Sequence, residues 1–337
     1  RTLRTFNEFV TDWLAQQKPG PLLDAVHDYF FACLTFVKIG DLYDGSYQTR
    51  FVLDGHHLTI KELCLDPSDF LNRSLELGSG AVLFSATLTP MAYYQRVLGG
   101  EANSLAYQLP SPFPPKHQAI LVTQYVQTTY HEREHNVPRI IASLHAMLTA
   151  KRGNYLVFFP SYGYLLQIKT AFEAAYPDVA TTAQASTMDA TARQTFLNQF
   201  QSAPSQTLLG FCVLGGIFSE GIDLRGDRLI GVAIVSVGLP GINPETNLIR
   251  DYYDHQNGLG FAYAYQLPGM NNVLQAAGRL IRSAKDTGIV LLLDQRFASR
   301  RYTDLFPAHW QYYQTIQSVP QLEATIANFW HQMEVTH

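Results

Sequence analysis

Between residues 110 and 295 the hydrophobic positions of this chain switch repeatedly from strand-like runs to helical spacing. Residues 119–124 form a short β-branched run, and residues 155–159 a continuous apolar one, as in strands covered on both faces. Residues 208–214, 229–237 and 289–294 repeat that pattern. The intervening segments carry apolar residues at helical spacing. Residues 138–151 place Ile140, Ile141, Leu144, Met147 and Leu148 on one side, and Gly153 follows as a stop. Residues 162–176 turn Leu165, Leu166, Ile168 and Phe172 inward until Pro177. Residues 190–200 follow Asp189, a residue suited to an N-cap. This alternation predicts an α/β fold, a parallel sheet with helices on both faces. Ligands bind such sheets beyond the carboxyl ends of the strands, so residues just after a strand are the candidates for chemistry.

The first hundred residues follow a different pattern. Residues 5–17 predict an amphipathic helix with Phe6, Phe9, Val10, Trp13 and Leu14 on one side. Pro19-Gly20-Pro21 breaks it, and residues 22–37 resume a helical, aromatic-rich pattern. Residues 47–53 and 58–65 are expected to be strands around a turn at Asp54-Gly55, and residues 80–85 a buried strand. After Phe306 the pattern is helical again, with Trp310, Tyr312, Tyr313, Phe329 and Trp330.

At 337 residues the chain predicts two domains, and 47% hydrophobic against 15% charged residues describes a well-buried globular protein. A net charge of −4 argues against a uniformly basic nucleic-acid coat but allows a local basic groove. From 279 to 301, Arg279, Arg282, Lys285, Arg296, Arg300 and Arg301 face only Asp286 and Asp294. Cys33, Cys64 and Cys212 are far apart, which argues against a disulfide framework, zinc ribbon or iron–sulfur cluster in this chain. Three buried free thiols in a reducing cytoplasm are expected instead. No apolar run reaches transmembrane length and no signal-peptide pattern opens the chain, so no membrane partner is expected. A first residue that is Arg1 and not Met suggests a piece of a longer protein.

Four segments carry candidate chemistry. In Gln275-Ala276-Ala277-Gly278-Arg279-Leu280-Ile281-Arg282, a helix would put Gln275, Arg279 and Arg282 on one face and Leu274, Ala277 and Ile281 on another. Two guanidiniums and an amide presented together suit an anion whose charge grows during reaction, such as a transferring phosphoryl group. Gly215-Gly216-Ile217-Phe218-Ser219-Glu220-Gly221-Ile222-Asp223 follows a buried strand. Its glycines allow close backbone approach to a ligand, and Glu220 and Asp223 bring carboxylates to the same edge. Ser161, after the strand at 155–159, can hold a phosphate with the free N–H groups of the next helix, or simply cap it. Ser85 and Thr87, at and just beyond the end of residues 80–85, are hydroxyls able to relay a change at a phosphate. His131-Glu132-Arg133-Glu134-His135 matches the zinc-protease pattern, but its polar and helix-ending flanks predict a charged surface loop without metal.

In order, these segments resemble the second half of a superfamily-two helicase of the XPD/DinG type. Residues 85–88 resemble helicase motif III, 158–162 motif IV, 219–223 motif V and 275–282 motif VI. Ser111-Pro112-Phe113-Pro114 resembles the segment opening the second motor domain. The resemblance implies a RecA-like fold with an arch-like remnant at 1–55, the end of a first motor domain at 56–105 and a second motor domain at 106–337. It implies that Arg279 and Arg282 contact the γ-phosphate of ATP, that Gln275 positions phosphate or water, and that Glu220, Gly221, Asp223 and Gly278 border the nucleotide. Ser85 and Thr87 would couple hydrolysis to movement, and Ser161 and Tyr162 would touch single-stranded or forked DNA. No G-x-x-x-x-G-K-[ST] and no adjacent Asp-Glu pair occur. ATP and Mg²⁺ would therefore be bound mainly by an N-terminal motor domain of the same parent protein, and this chain alone is expected to be inactive. The alternative is a binding module of helicase-like fold for nucleic acid or a partner protein.

Overall fold

The computed structural model describes residues 1–335 apart from Gln17, Pro19, Ala102 and residues 220–222. Two helices open the chain, α1 (Thr2–Leu14) and α2 (Pro21–Asp41). Pro21 starts α2 where a missing N–H costs nothing. The helices pack through contacts such as the edge-on pair Phe6–Tyr29 at 5.5 Å. An antiparallel hairpin follows, β1 (Tyr47–Asp54) and β2 (His57–Cys64), in register from Tyr47↔Cys64 to Asp54↔His57. One face carries Arg50 and Lys61, which both bind Glu245 at 2.8 Å. Along the other, Phe51, Leu53, Leu58 and Ile60 are exposed. Cys64, expected to be buried, is exposed at the end of β2, whereas Cys33 and Cys212 are buried as expected.

After α3 (Ser68–Leu75), residues 80–85 form no strand, contrary to the sequence expectation. Val82 is 85% and Phe84 90% exposed. An apolar run becomes a buried strand only with neighbours on its edges and faces, and no described segment supplies them. Helix α4 (Met91–Val97) follows.

The rest of the chain builds a seven-stranded, all-parallel sheet from β3 (Gln118–Thr123), β4 (Asn154–Phe159), β5 (Ala180–Ala183), β6 (Leu208–Val213), β7 (Gly231–Val235), β8 (Gly288–Leu293) and β9 (Gln314–Ile316). The spatial order is β5-β6-β4-β7-β8-β3-β9. The connecting helices are α5 (Arg133–Thr149), α6 (Tyr162–Ala175), α7 (Ala190–Asn198), α8 (Pro244–Asn257), α9 (Leu267–Ala277) and the short α10 (Arg300–Thr303), and α11 (Val319–Val335) follows the last strand. Side chains alternate across the sheet. Leu121, Tyr155, Val157, Phe211 and Leu291 face a core closed by α5, α6 and α11. Val122, Leu156, Phe158, Cys212 and Leu292 face a second core closed by α7, α9 and Trp310. This is the expected α/β, RecA-like arrangement with helices on both faces.

Three local expectations change. The region after Phe306 holds β9 before its helix, not helix throughout. The edge strand β5, Ala-Thr-Thr-Ala, had no apolar run to announce it. Helix α5 begins at Arg133 rather than Pro138, so Arg133, Glu134 and His135 are helical, not loop. There Asn136 bridges the two ends of the turn, donating to Glu132 O at 2.9 Å and accepting from Gln127 N at 3.0 Å. His131 precedes the helix, so it cannot share a helical turn with His135 in the geometry a zinc protease needs. No described helix is long and apolar enough to cross a membrane.

Candidate functional site

The carboxyl ends of β4, β6 and β8 carry Ser161, the Gly215–Ser219 loop and Asp294, whereas the arginine segment lies between α9 and the amino end of β8. Beyond β4, Ser161 caps α6, its Oγ accepting from Tyr164 N at 3.3 Å. The hydroxyl proton remains available to donate, and a side chain at Gly163 would meet open space. A phosphate can therefore approach the first N–H groups of α6. Tyr162 is tied to the segment that follows β5. Its phenol donates to Ala185 O at 3.2 Å and accepts from Gln184 Nε2 at 2.7 Å. Its hydroxyl is thus engaged within the chain, while the half-buried ring borders open space. A cavity of about 630 Å³ opens beside it, between Gln184, Ser186, Met188 and Ile217.

Beyond β6 the chain turns through Gly215, at φ +69, and Gly216. A Cβ on Gly216 would lie 2.8 Å from Gln184 Nε2 and 2.9 Å from Val213 O, so only glycine fits. Gly216 N and Ser219 Oγ each donate to Val213 O at 3.1 Å. Ser219 is fully buried, and its carbonyl accepts from Arg279 Nε at 2.9 Å. Glu220 and Gly221, candidate nucleotide contacts, lie outside the described residues. Asp223 is exposed and pairs with Arg225 at 2.9 Å.

The arginine segment departs from the expected helix. Helix α9 ends at Ala277 with Gly278 as its C-cap. Arg279 N and Leu280 N bond to the carbonyls three residues back, the tight final turn of a helix end. Gln275 therefore lies on the helix, Arg279 in the turn and Arg282 beyond it, rather than on one helical face. Leu280 is buried at 1%, and Leu274 and Ile281 are only partly buried. The cause of the bend is Asp286, 3% exposed. Its carboxylate accepts from Arg282 N at 2.6 Å, Ser283 N at 2.7 Å, Ser283 Oγ at 2.7 Å and Gly226 N at 3.1 Å. The segment holding Arg282 is thereby fastened to the loop that follows the Gly215 turn. Arg279 is half-buried and Arg282 exposed.

Beyond β8, Asp294 is fully buried and holds Arg296 through two bonds of 2.9 and 2.8 Å. Thr128 donates to the same carboxylate from beyond β3, and Arg296 also reaches Ser236 at 3.3 Å beyond β7. Arg296, counted among the positive residues from sequence, is thus neutralised inside the edge. Ser85 and Thr87 bond each other at 3.2 Å in the exposed segment before α4. Among the described residues no group of three or more His, Cys, Asp or Glu is placed to hold a metal. Sequence reasoning missed Gln184, Asp286 and the Asp294–Arg296 pair. Gln184 and Asp286 are isolated polar residues in loops, and Asp294 and Arg296 are two residues apart just after β8, with no pattern to mark them.

A family model described as "Helicase C-terminal domain" matches residues 144–313, from α5 to beyond α10. The chain belongs to this helicase family. ATP-dependent DNA helicase YoaA of Escherichia coli (strain K12) is 27% identical over 297 residues, which cover 85% of this chain and 44% of YoaA. ATP-dependent DNA helicase XPD of Sulfolobus acidocaldarius is 27% identical over 278 residues, 80% of this chain and 46% of that protein. The helicase domain described here thus spans less than half the length of these relatives. A solved structure of XPD helicase superposes with a TM-score of 0.62 at 18% identity, covering 89% of this chain and 56% of that one, a likeness of fold. The XPD/DinG resemblance of the helicase motifs agrees with these relatives.

Proposed function

We propose that this chain is the C-terminal motor portion of an ATP-dependent DNA helicase that translocates on single-stranded DNA and unwinds duplexes. The observation that carries the reading is the bond from Arg279 to Ser219 O, which joins the arginine turn to the glycine loop that follows β6. A family match across the same residues supports it. ATP and Mg²⁺ would be held mainly by an N-terminal motor domain that provides the phosphate loop. Arg279 and Arg282 would approach the γ-phosphate across the cleft. Guanidiniums there stabilise the negative charge that accumulates on the transferred group. Gln275 would orient phosphate or water, and Glu220, Gly221, Asp223 and Gly278 would border the nucleotide.

The nucleic-acid contact would be Ser161 and the start of α6, with the ring of Tyr162 beside them. Ser85 and Thr87 would couple the nucleotide to that path from the end of the first motor domain. In this reading residues 1–55 would be the arch-like part, 56–105 the end of the first motor domain and 106–337 the second motor domain.

The test joins this chain to an ATP-binding lobe and measures DNA-stimulated ATPase. Arg279→Ala and Arg282→Ala should each lower turnover by about 10³-fold or more while single-stranded DNA binding persists. Normal ATPase rates in both variants would refute the assignment.

A further inference from the structure

Gln184 stands directly after β5, is 4% exposed, and spends both ends of its amide. Its Nε2 donates to the Tyr162 phenol at 2.7 Å, and its Oε1 accepts from Val213 N at 3.1 Å. The carbonyl of Val213 accepts from Ser219 Oγ at 3.1 Å, and the carbonyl of Ser219 accepts from Arg279 Nε at 2.9 Å. An unbroken series of hydrogen bonds therefore runs from the start of α6 to the arginine turn. Val213, at the centre, is fixed in β6 opposite Phe159, the last residue of β4. Gly216 closes against Gln184 so tightly that no side chain fits between them. A shift of the Tyr162 phenol must move Gln184 or leave a polar atom of that buried side chain without its partner, which is costly.

We propose that Gln184 is a positioning residue that makes the placement of Arg279 depend on Tyr162. The functional reading above enters only in naming what sits at the two ends, single-stranded DNA at Tyr162 and a nucleotide phosphate at Arg279. Gln184 touches neither. It transmits displacement because each end of its amide holds one partner, and a ligand entering the cavity of about 630 Å³ would press on Tyr162.

The test uses the whole chain and the Nε–H resonance of Arg279, assigned by its loss in Arg279→Lys. Tyr162→Phe and Gln184→Met should move that resonance in the same direction. Exchange of the Val213 amide should quicken about fivefold in Gln184→Met, with the β8 amides unchanged as a check on folding. Methionine fills nearly the same space as glutamine. A Gln184→Met variant identical to wild type would therefore mean that the side chain only packs, and would overturn the proposal. Adding a labelled oligodeoxythymidylate to wild type should also shift Arg279. In Gln184→Met the oligonucleotide should bind without that shift. Oligonucleotide bound to wild type with Arg279 unmoved would likewise overturn it. Should no oligonucleotide bind while both variants still shift Arg279, the relay stands and the nucleic-acid reading of this edge fails.

Discussion

Replacing Asp286 by alanine removes the anchor beneath Arg282. Four donors converge on this carboxylate, three of them backbone N–H groups, those of Gly226, Arg282 and Ser283. Alanine leaves them without an acceptor where only 3% of the residue meets solvent. A hydrogen bond to a charged acceptor contributes about 1.5–3 kcal/mol. The contributions do not simply add, because the Ser283 hydroxyl can rotate to another acceptor and the cost of burying the carboxylate is relieved. A net loss of about 3–4 kcal/mol is therefore expected. At about 2 °C per kcal/mol for a chain of this size, Asp286→Ala should melt about 6–8 °C lower. Asp286→Asn keeps one oxygen and should lose about half as much. The local signature is sharper, since the amides of Arg282 and Ser283 should lose about a hundredfold in hydrogen-exchange protection. Thermal melting and amide exchange on the three proteins decide the matter. An alanine variant melting within about 1 °C of wild type, with both amides still protected, would show that Asp286 does not hold the arginine segment.

Three further outcomes follow from local geometry. Gly216→Ala places a methyl group against Val213 O and Gln184, so the urea midpoint should fall by the equivalent of about 1–3 kcal/mol; an unchanged midpoint would mean that the loop is loosely packed. Burial pushes the Tyr164 phenol from 10 up to about 12. Between those values the native state retains a proton that the unfolded chain has lost, so stability falls as pH rises, and Tyr164→Phe should flatten that fall; superimposable alkaline melting curves would contradict it. Lys61 and then Arg50 hold the Glu245 carboxyl below its usual 4.5. Its contribution is present above that value and disappears as pH drops through the lower native one. Glu245→Gln, or about 1 M salt with wild type, should speed amide exchange in β1 and β2 while sparing β8; equal exchange in both sheets would disprove the link.

The central strands were legible because both their faces are apolar, as in Tyr155–Phe159 of β4 and the run of β8. Edge strands β5 and β9 were not, since a half-exposed edge tolerates Thr and Gln and leaves no run to read. Residues 80–85 show the opposite failure, because their apolarity is real but burial depends on neighbours that no local pattern encodes. At the candidate site, residue types and order were legible, and Gly215, Gly216, Ser219 and Arg279 do converge. The helical spacing of Gln275, Arg279 and Arg282 misled because Gly278 ends α9 and Asp286 draws the chain aside. The inward-facing hydroxyl of Tyr162 depends on Gln184, twenty-two residues on, a pairing set by the β5–β6 register.

Both cores of the seven-stranded sheet take their fully buried members from Ala119 onward, and Tyr93 is the lone upstream residue packed against either among those described. The sheet body is in that sense self-contained. Severing the backbone near residue 110 should release a fragment that refolds unaided, and the same body should accept a different upstream portion as a graft, provided Tyr93 and the Glu245 contact are rebuilt.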